Sequence, residues 1–500
     1  MHNMGFEHGE NTGSALLLVL VVGVALLLYH ASTSTWLPPF EKQLANFHPA
    51  FAQGLAVFHD FRLGKFYKPW KSGPPVVLVT SKKHIAEFSE VTCLSQQAVY
   101  ADMFGFKHTM ENLEHDRLDH KVVRNRFNNR LLEVKGPAHL EALYPNFVSR
   151  FEDSWNKAMK NGRAVKGGGI SIPATNMCRN LSTRMISLIF FGERLTSDET
   201  FVGELMQYSR DMVNCMIAFQ ITPEFLSPII HRIITRGGRA MKSLTRQFTD
   251  IMGTGRTSWN ETKSIKECTI LHNMTTLSES SSYWTGPAMN AQNMLGIWFA
   301  ASHQPWMNLN FILLEVCARP DWQEALRREI EDNGPLDDYR KLDGLQLLDS
   351  FMKETVRLHP LDTLGIRRKA VLPYNFTDGT IKVPQGATVC VPAYDMLHDP
   401  SRYPNPQKFD GARFIPKNQT NDQVRFTKVA HDFPMWGYGS LACPGRFHAA
   451  LVIKVVLSQL LMRYDMSLES EKAGRKWSWE TFAMPYESTR IVLRERSQVS

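Results

Sequence analysis

The longest helical pattern in the chain runs from Pro287 to Cys317 and stops at Arg319-Pro320. It is mostly apolar, so whatever this chain folds into must wrap other elements around it. In WFAASHQPW (298–306), His303, Gln304 and Pro305 break the apolar pattern. A proline inside a helix lacks a donor and clashes with the carbonyl four residues back, here that of Ala301. A His-Gln pair is costly to bury without partners. The triplet is either a kink whose polar groups are satisfied or a site, and what lies across from the helix decides which.

Other helices surround this one. Asp321 to Asn333 is closed by Gly334-Pro335, residues 343–359 are amphipathic and end at Pro360, and a last helix starts after Pro444 and runs to about Tyr464. A charged helix spans about Leu113 to Leu132. Strand-like pieces are few: VVLVT after Pro74-Pro75, then TIKV and ATVCVPAY around the turn Pro384-Gln385-Gly386. The loop Lys166-Gly167-Gly168-Gly169 is followed by no GKS or GKT and preceded by no strand, so it is not a phosphate loop. Residues 73–500 show no internal repeat and no linker. They predict one large, mainly α domain with a minor β component.

The N-terminus is different. Ala15 to Tyr29 is an apolar run without a charge, slightly shorter than the roughly 20 residues of a spanning helix. A cleaved signal peptide competes with an uncleaved anchor, but the preceding segment carries Glu7 and Glu10 rather than basic residues, which favours the anchor. An acidic tip before a more basic body predicts a luminal N-terminus and a cytosolic body. The expected organisation is therefore 1–30 luminal tip and transmembrane helix, 31–72 hinge (with Pro38-Pro39) and membrane-proximal linker, and 73–500 catalytic domain. Sequons at Asn180, Asn260, Asn273, Asn375 and Asn418 should then carry no glycan.

The formal net charge of +8 is diffuse, with no Lys/Arg stripe interleaved with aromatics. That argues against nucleic acid and fits an acidic protein partner or an anionic membrane surface. The seven cysteines are scattered without a CxxC pair, which excludes a disulfide framework and a structural zinc site and suits a reducing compartment.

Cys443 stands apart from the other six. It lies in WGYGSLACPGRF (436–447), where Gly437 and Gly439 make a bare loop and Pro444-Gly445 open a helix. Amides at a helix N-terminus favour a thiolate, and small residues let a flat ligand approach the backbone. The arrangement suits a thiolate that serves as an axial ligand to iron. Upstream, Glu354 and Arg357 share one helix face in an E-x-x-R spacing that many long helices contain.

WGYGSLACPGRF resembles the haem-ligand loop of the cytochrome P450 superfamily, as it stands in microsomal enzymes of filamentous fungi. Trp436 replaces the usual Phe and still shields the sulfur. Leu441 replaces a usual basic partner of a haem propionate, and Arg446 closes the loop on the haem side. Glu354-Thr355-Val356-Arg357 is similar to the family's ExxR, and YPNPQKFDGARF supplies Arg413, so Glu354, Arg357 and Arg413 would form its buried triad. His120 and Arg124 resemble the helix that holds haem propionates, and Arg368, with Arg367 as the alternative, resembles another propionate partner. In the central helix the likeness puts His303 at the usual acid and Gln304 at the usual threonine, with Pro305 holding the helix open over the haem.

The resemblance implies a mainly α haem-thiolate domain behind a transmembrane helix. It implies haem b, electrons from NADPH through NADPH-cytochrome P450 reductase, and insertion of one oxygen atom from dioxygen into a hydrophobic, terpenoid-like fungal metabolite. Its place would be the endoplasmic reticulum membrane, single-pass with a cytosolic catalytic domain. Gln304 and Leu441 point to an alternative: a haem-thiolate isomerase, dehydratase or peroxide-using enzyme independent of a reductase. A non-enzymatic carrier is a third reading, against which the full motif set argues.

Overall fold

A computed structural model describes residues 76–110, 137–253, 269–279, 287–415, 424–439, 442–479 and 481–496. The apolar run Ala15–Tyr29, the hinge, His120, Arg124 and Leu441 lie outside them, as do Asn260 and Asn418. Among the described residues no helix is long and apolar enough to cross a membrane.

The helices of eight residues or more are α1 (Lys82–Glu90), α2 (Gln96–Phe104), α3 (Pro137–Met159), α4 (Ala174–Thr196), α5 (Glu199–Ile221) and α6 (Ser227–Ile234). They continue with α7 (Arg239–Gly253), α8 (Ile270–Glu279), α9 (Pro287–Cys317), α10 (Pro320–Asp332), α11 (Gln346–Leu358) and α12 (Arg446–Arg463). At 31 residues, α9 spans about 46 Å and passes through the middle of the domain. It packs along α4 and α7 and touches α5, α11 and α12. Trp298 shows why these helices meet. Its ring is fully buried against Phe190 and Phe191 of α4, both at 5.4 Å, and its indole N–H donates to the Leu205 carbonyl of α5 at 3.2 Å. Phe191 in turn stacks on Phe248 of α7 at 5.3 Å. Each such aromatic pair adds about 0.5–1.5 kcal/mol beyond the area it buries.

The opening expected at Pro305 is absent: α9 is one helix from Pro287 to Cys317. A helical proline costs about 3 kcal/mol. Trp306, Met307, Leu309, Phe311 and Ile312 beyond it are all buried, each worth about 1.5–3 kcal/mol, so packing outweighs the defect.

The β component is two small four-stranded sheets and two hairpins. One sheet is ordered β1 (Val76–Leu78), β8 (Thr388–Val391), β5 (Gly365–Ala370), β2 (Leu94–Ser95), with β1 parallel to β8. The other is ordered β3 (Arg163–Ala164), β4 (Ile170–Pro173), β12 (Arg490–Glu495), β9 (Tyr464–Leu468). The triglycine loop is the β3–β4 turn, with φ of 87°, 85° and 98° at Gly167, Gly168 and Gly169. The C-terminal tail, which carried no clear motif, supplies β12 and the hairpin β10 (Lys476–Trp479)–β11 (Phe482–Pro485). The six described cysteines are free thiols.

Glu354 on α11 binds two arginines at once. Its Oε2 accepts from Arg357 Nε at 2.7 Å and from Arg413 Nε at 3.0 Å, and its Oε1 accepts from Arg357 Nη2 at 2.9 Å and the Asp410 amide at 3.0 Å. Arg357 also donates to the Leu397 carbonyl at 2.8 Å, and Arg413 to the carbonyls of Pro404 and Lys408 at 2.9 and 2.8 Å. Glu354 and Arg357 are completely buried. Removing one charge of such a cluster leaves the others desolvated and unpaired, at about 3–5 kcal/mol. Glu354→Gln should lose that much in denaturant unfolding, while Glu324→Gln should lose under about 1 kcal/mol, because its carboxylate is exposed and its buried partner Arg327 keeps Asp465 at 2.8 Å. Equal losses in the two variants would contradict a buried electrostatic brace.

Candidate functional site

The Cys443 loop is built by close contacts that only particular residues permit. A single 3₁₀ turn, Pro434–Trp436, ends at Gly437 with φ 75° and ψ −162°. Gly439 has φ 62°, a left-handed backbone that favours glycine, and a Cβ there would sit 3.3 Å from Ser89 Cβ and would have to displace the Glu90 carboxylate. The chain then returns, and the Cys443 amide donates to the Trp436 carbonyl at 2.6 Å. Trp436 is buried, its indole donating to the Phe426 carbonyl at 2.6 Å and its ring set edge-on to Phe426 at 5.4 Å.

The amides of Gly445 and Arg446, at the start of α12, donate to the Cys443 sulfur, and the Arg446 guanidinium attracts it. Burial acts the other way and prevails, holding the thiol above its ordinary value. The sulfur therefore has two amide donors and a guanidinium that favour a thiolate, but burial outweighs them.

Two guanidiniums in this region have no acid. Arg446 donates from Nη1 to the Cys443 carbonyl at 2.8 Å and lies over the Phe447 ring at 4.3 Å, while its Nε is buried without an acceptor. Arg368 on β5 is 1% exposed; it donates from Nη1 to the Arg367 carbonyl at 2.9 Å, and its Nε is also without an acceptor. Burial pushes Arg368 down to about 10, and no carboxylate acts against it. Among the described residues neither has a carboxylate partner. A bound group carrying two carboxylates would supply what they lack.

Arg367 is placed differently from its neighbour. It clasps Asp362 with Nε and Nη2, at 2.8 and 2.7 Å, and also donates to Thr481 Oγ1. Burial opposes its charge, but Asp362 more than compensates and raises it. The two arginines fall on opposite faces of β5, along which burial alternates; the strand also carries a β-bulge between Gly365 and Arg368, with Ile366 at φ 49°. Such a φ is strained for a β-branched residue and is retained only where surrounding structure enforces it. Asp362 and the bulge left no signal in the sequence, where the resemblance preferred Arg368 and kept Arg367 as the alternative.

His303 and Gln304, adjacent in sequence, face different spaces. Gln304 and Ala300, one turn apart, are the exposed positions in the middle of the otherwise buried α9. The Gln304 carbonyl accepts from Asn308 Nδ2 at 3.1 Å. His303 turns away from them into a cavity of about 240 Å³ between α4, α5, α9 and the β10–β11 hairpin. Phe299 stacks on its ring at 6.1 Å and Trp306 meets it edge-on at 5.4 Å. This cavity depends on the tail hairpin and could not be read from the chain.

The cytochrome P450 family model matches residues 48–492. Cytochrome P450 monooxygenase 71 of Postia placenta is 25% identical over 380 residues, covering 73% of this chain and 74% of that protein. Cytochrome P450 monooxygenase penP of Penicillium crustosum is 25% identical over 449 residues, covering 87% of this chain and 83% of that protein. Cytochrome P450 monooxygenase prx8 of Penicillium rubens is 30% identical over 324 residues, covering 60% and 59%. In structure the chain is similar to cyanobacterial CYP120A1 with retinoic acid bound, at a TM-score of 0.63 and 17% identity, covering 85% of this chain and 90% of that one.

Burial, and secondarily Arg179, push His303 down to about 4 from 6.5. A lowered folded value means the fold prefers the neutral ring. Its contribution is complete above about pH 6.5 and is lost as the pH falls towards 4, at most about 3 kcal/mol. Urea unfolding across that range should show this loss, and His303→Gln should remove that part of it. A variant whose profile parallels the parent would refute a buried neutral imidazole.

Proposed function

The chain belongs to the cytochrome P450 family, and from that premise we propose a fungal, membrane-anchored haem-thiolate monooxygenase whose axial ligand is Cys443 and whose substrate is a hydrophobic secondary metabolite. That the chain is a cytochrome P450 monooxygenase follows from the family and its relatives. The finer statements rest chiefly on one observation: a buried sulfur receiving two backbone amides, with unpaired Arg446 beside it and unpaired Arg368 on β5.

When bound, the haem iron supplies dioxygen activation, with the thiolate donating electron density. The chain's own residues do the rest. The Gly445 and Arg446 amides hold the sulfur, and a metal cation on it would offset the burial that now raises the thiol. Arg368 and Arg446 would bind the propionates, with His120 and Arg124 as further partners. Arg367 is committed to Asp362 and steers its neighbour rather than the group itself. Trp436 excludes water from the sulfur. Gln304 offers an amide donor and acceptor on the exposed face of α9 but no rotating hydroxyl to pass a proton. His303, neutral and turned aside, would carry a proton only through the cavity it faces.

By analogy with its fungal relatives the substrate would be apolar and terpenoid-like, and the basic balance of the chain supports a partner with an acidic docking face, such as NADPH-cytochrome P450 reductase. The run Ala15–Tyr29 supports an anchor in the endoplasmic reticulum membrane with the domain cytosolic. Gln304 in the threonine's place keeps a second reading: haem-thiolate isomerisation, dehydration or peroxide use without a reductase.

The reduced, CO-bound protein should show the Soret band of a thiolate-ligated haem, and Cys443→Ser should abolish it. A band that survives the substitution would refute the ligand assignment. Expressed in a eukaryotic host, the chain should remain in carbonate-washed membranes, and product should require both NADPH and the reductase. Release by carbonate would rule out the anchor, and product formed equally well without NADPH would replace monooxygenation with the second reading.

A further inference from the structure

The cavity that receives His303 is separate from the face carrying Gln304. At 100° per residue, Ser302, His303 and Trp306 centre roughly 130° around α9 from Ala300 and Gln304. The hydroxyls of Ser302 and Ser209 bond each other at 2.7 Å, which satisfies the cavity's floor. Its walls are apolar and polarizable, made by Trp306, Trp477, Met206 and Met484.

The mouth is charged and unbalanced. Arg179 lies 4.5 Å over the Trp306 ring and is bound by Glu487 through both Nη atoms. Arg210 on α5 lies at the exposed rim. Glu487 and Asp211 attract it and Arg179 repels it, but among the described residues no acceptor bonds to it. The lining itself thus has two guanidiniums, one carboxylate and a neutral imidazole, an excess of one positive charge; Asp211 attracts Arg210 from outside the lining and accepts from Gln207. The ring nitrogens of His303 also make no hydrogen bond among the described residues.

We propose that this cavity binds a small amphipathic carboxylate, its anionic head on Arg210 and its flat apolar body between Trp477 and Trp306. The single excess charge matches a monoanion. A phosphate ester, with a charge of about −1.5 to −2, would leave negative charge unpaired beside Glu487. A planar carboxylate also fits the guanidinium fork. At about 240 Å³ the cavity is smaller than the ~300–1,000 Å³ of drug-sized sites, so the body is one or two rings. A ligand seated here touches His303 and Trp306 without occupying the Gln304 face, so binding and turnover ligands can coexist.

The test uses the full-length haem protein saturated with imidazole, which fills the iron's open position, and equilibrium dialysis of 2-naphthoate against its neutral isostere 2-naphthamide. The expected result is one saturable site that prefers the acid by at least about tenfold, the range of one charge-assisted hydrogen bond. Arg210→Gln, at an exposed position that folding tolerates, should abolish that preference, Arg210→Lys should keep most of it, and Trp477→Ala should weaken both ligands. The proposal is overturned by the absence of saturable binding, by equal affinity for acid and amide, or by a preference that persists in Arg210→Gln.

Discussion

Everything around Cys443 depends on one buried carboxylate. Glu354 has no exposed surface, and burying it alone would be prohibitive, so it is stable only because two guanidiniums and a backbone amide converge on it. That convergence ties α11 to the irregular segment around Pro404–Arg413, and Arg357 extends the tie to the Leu397 carbonyl. Irregular chain has few ladder hydrogen bonds of its own, and this cluster stands in for them. The segment that carries Trp436 and Cys443 follows it in the chain.

A second buried acid does similar work on the opposite side. Glu315 near the end of α9 accepts from His359, Arg319 and Arg475, the last from the segment that leads into β10. The tail hairpin is thereby held against the central helix, and the cavity beneath it has a fixed wall. Charged clusters of this kind add little net stability but specify one arrangement, since any other leaves a buried charge unpaired. The exceptions are Arg368 and Arg446, which have no acid among the described residues.

Much of this was legible in the chain. The long helix, the helix ending at Pro360, the helix after Pro444 and the turn at Pro384-Gln385-Gly386 were set by apolar period and by proline and glycine, which act locally. The Gly437–Gly439 loop was readable for the same reason: both residues adopt left-handed φ values that favour glycine. Pro305 was misleading, because its local cost is smaller than the packing gained beyond it. The tail gave no signal, since β12 and the β10–β11 hairpin are short and gain their stability from partners far away in sequence.

By itself the sequence determined which residues carry chemistry: a cysteine among glycines at a helix start, an acid and arginine three apart, and a His-Gln-Pro break in an apolar helix. Those are properties of residue type and spacing, and they survive any packing. Only the tertiary structure decided which of two adjacent arginines is free and which of two adjacent polar residues faces the open side of α9. Both choices depend on direction. Strand alternation puts Arg368 on the face opposite Arg367 and its partner Asp362, and a 100° step per residue turns His303 away from Gln304. Identity and spacing are written along the chain, whereas direction is set by what the rest of the fold brings alongside.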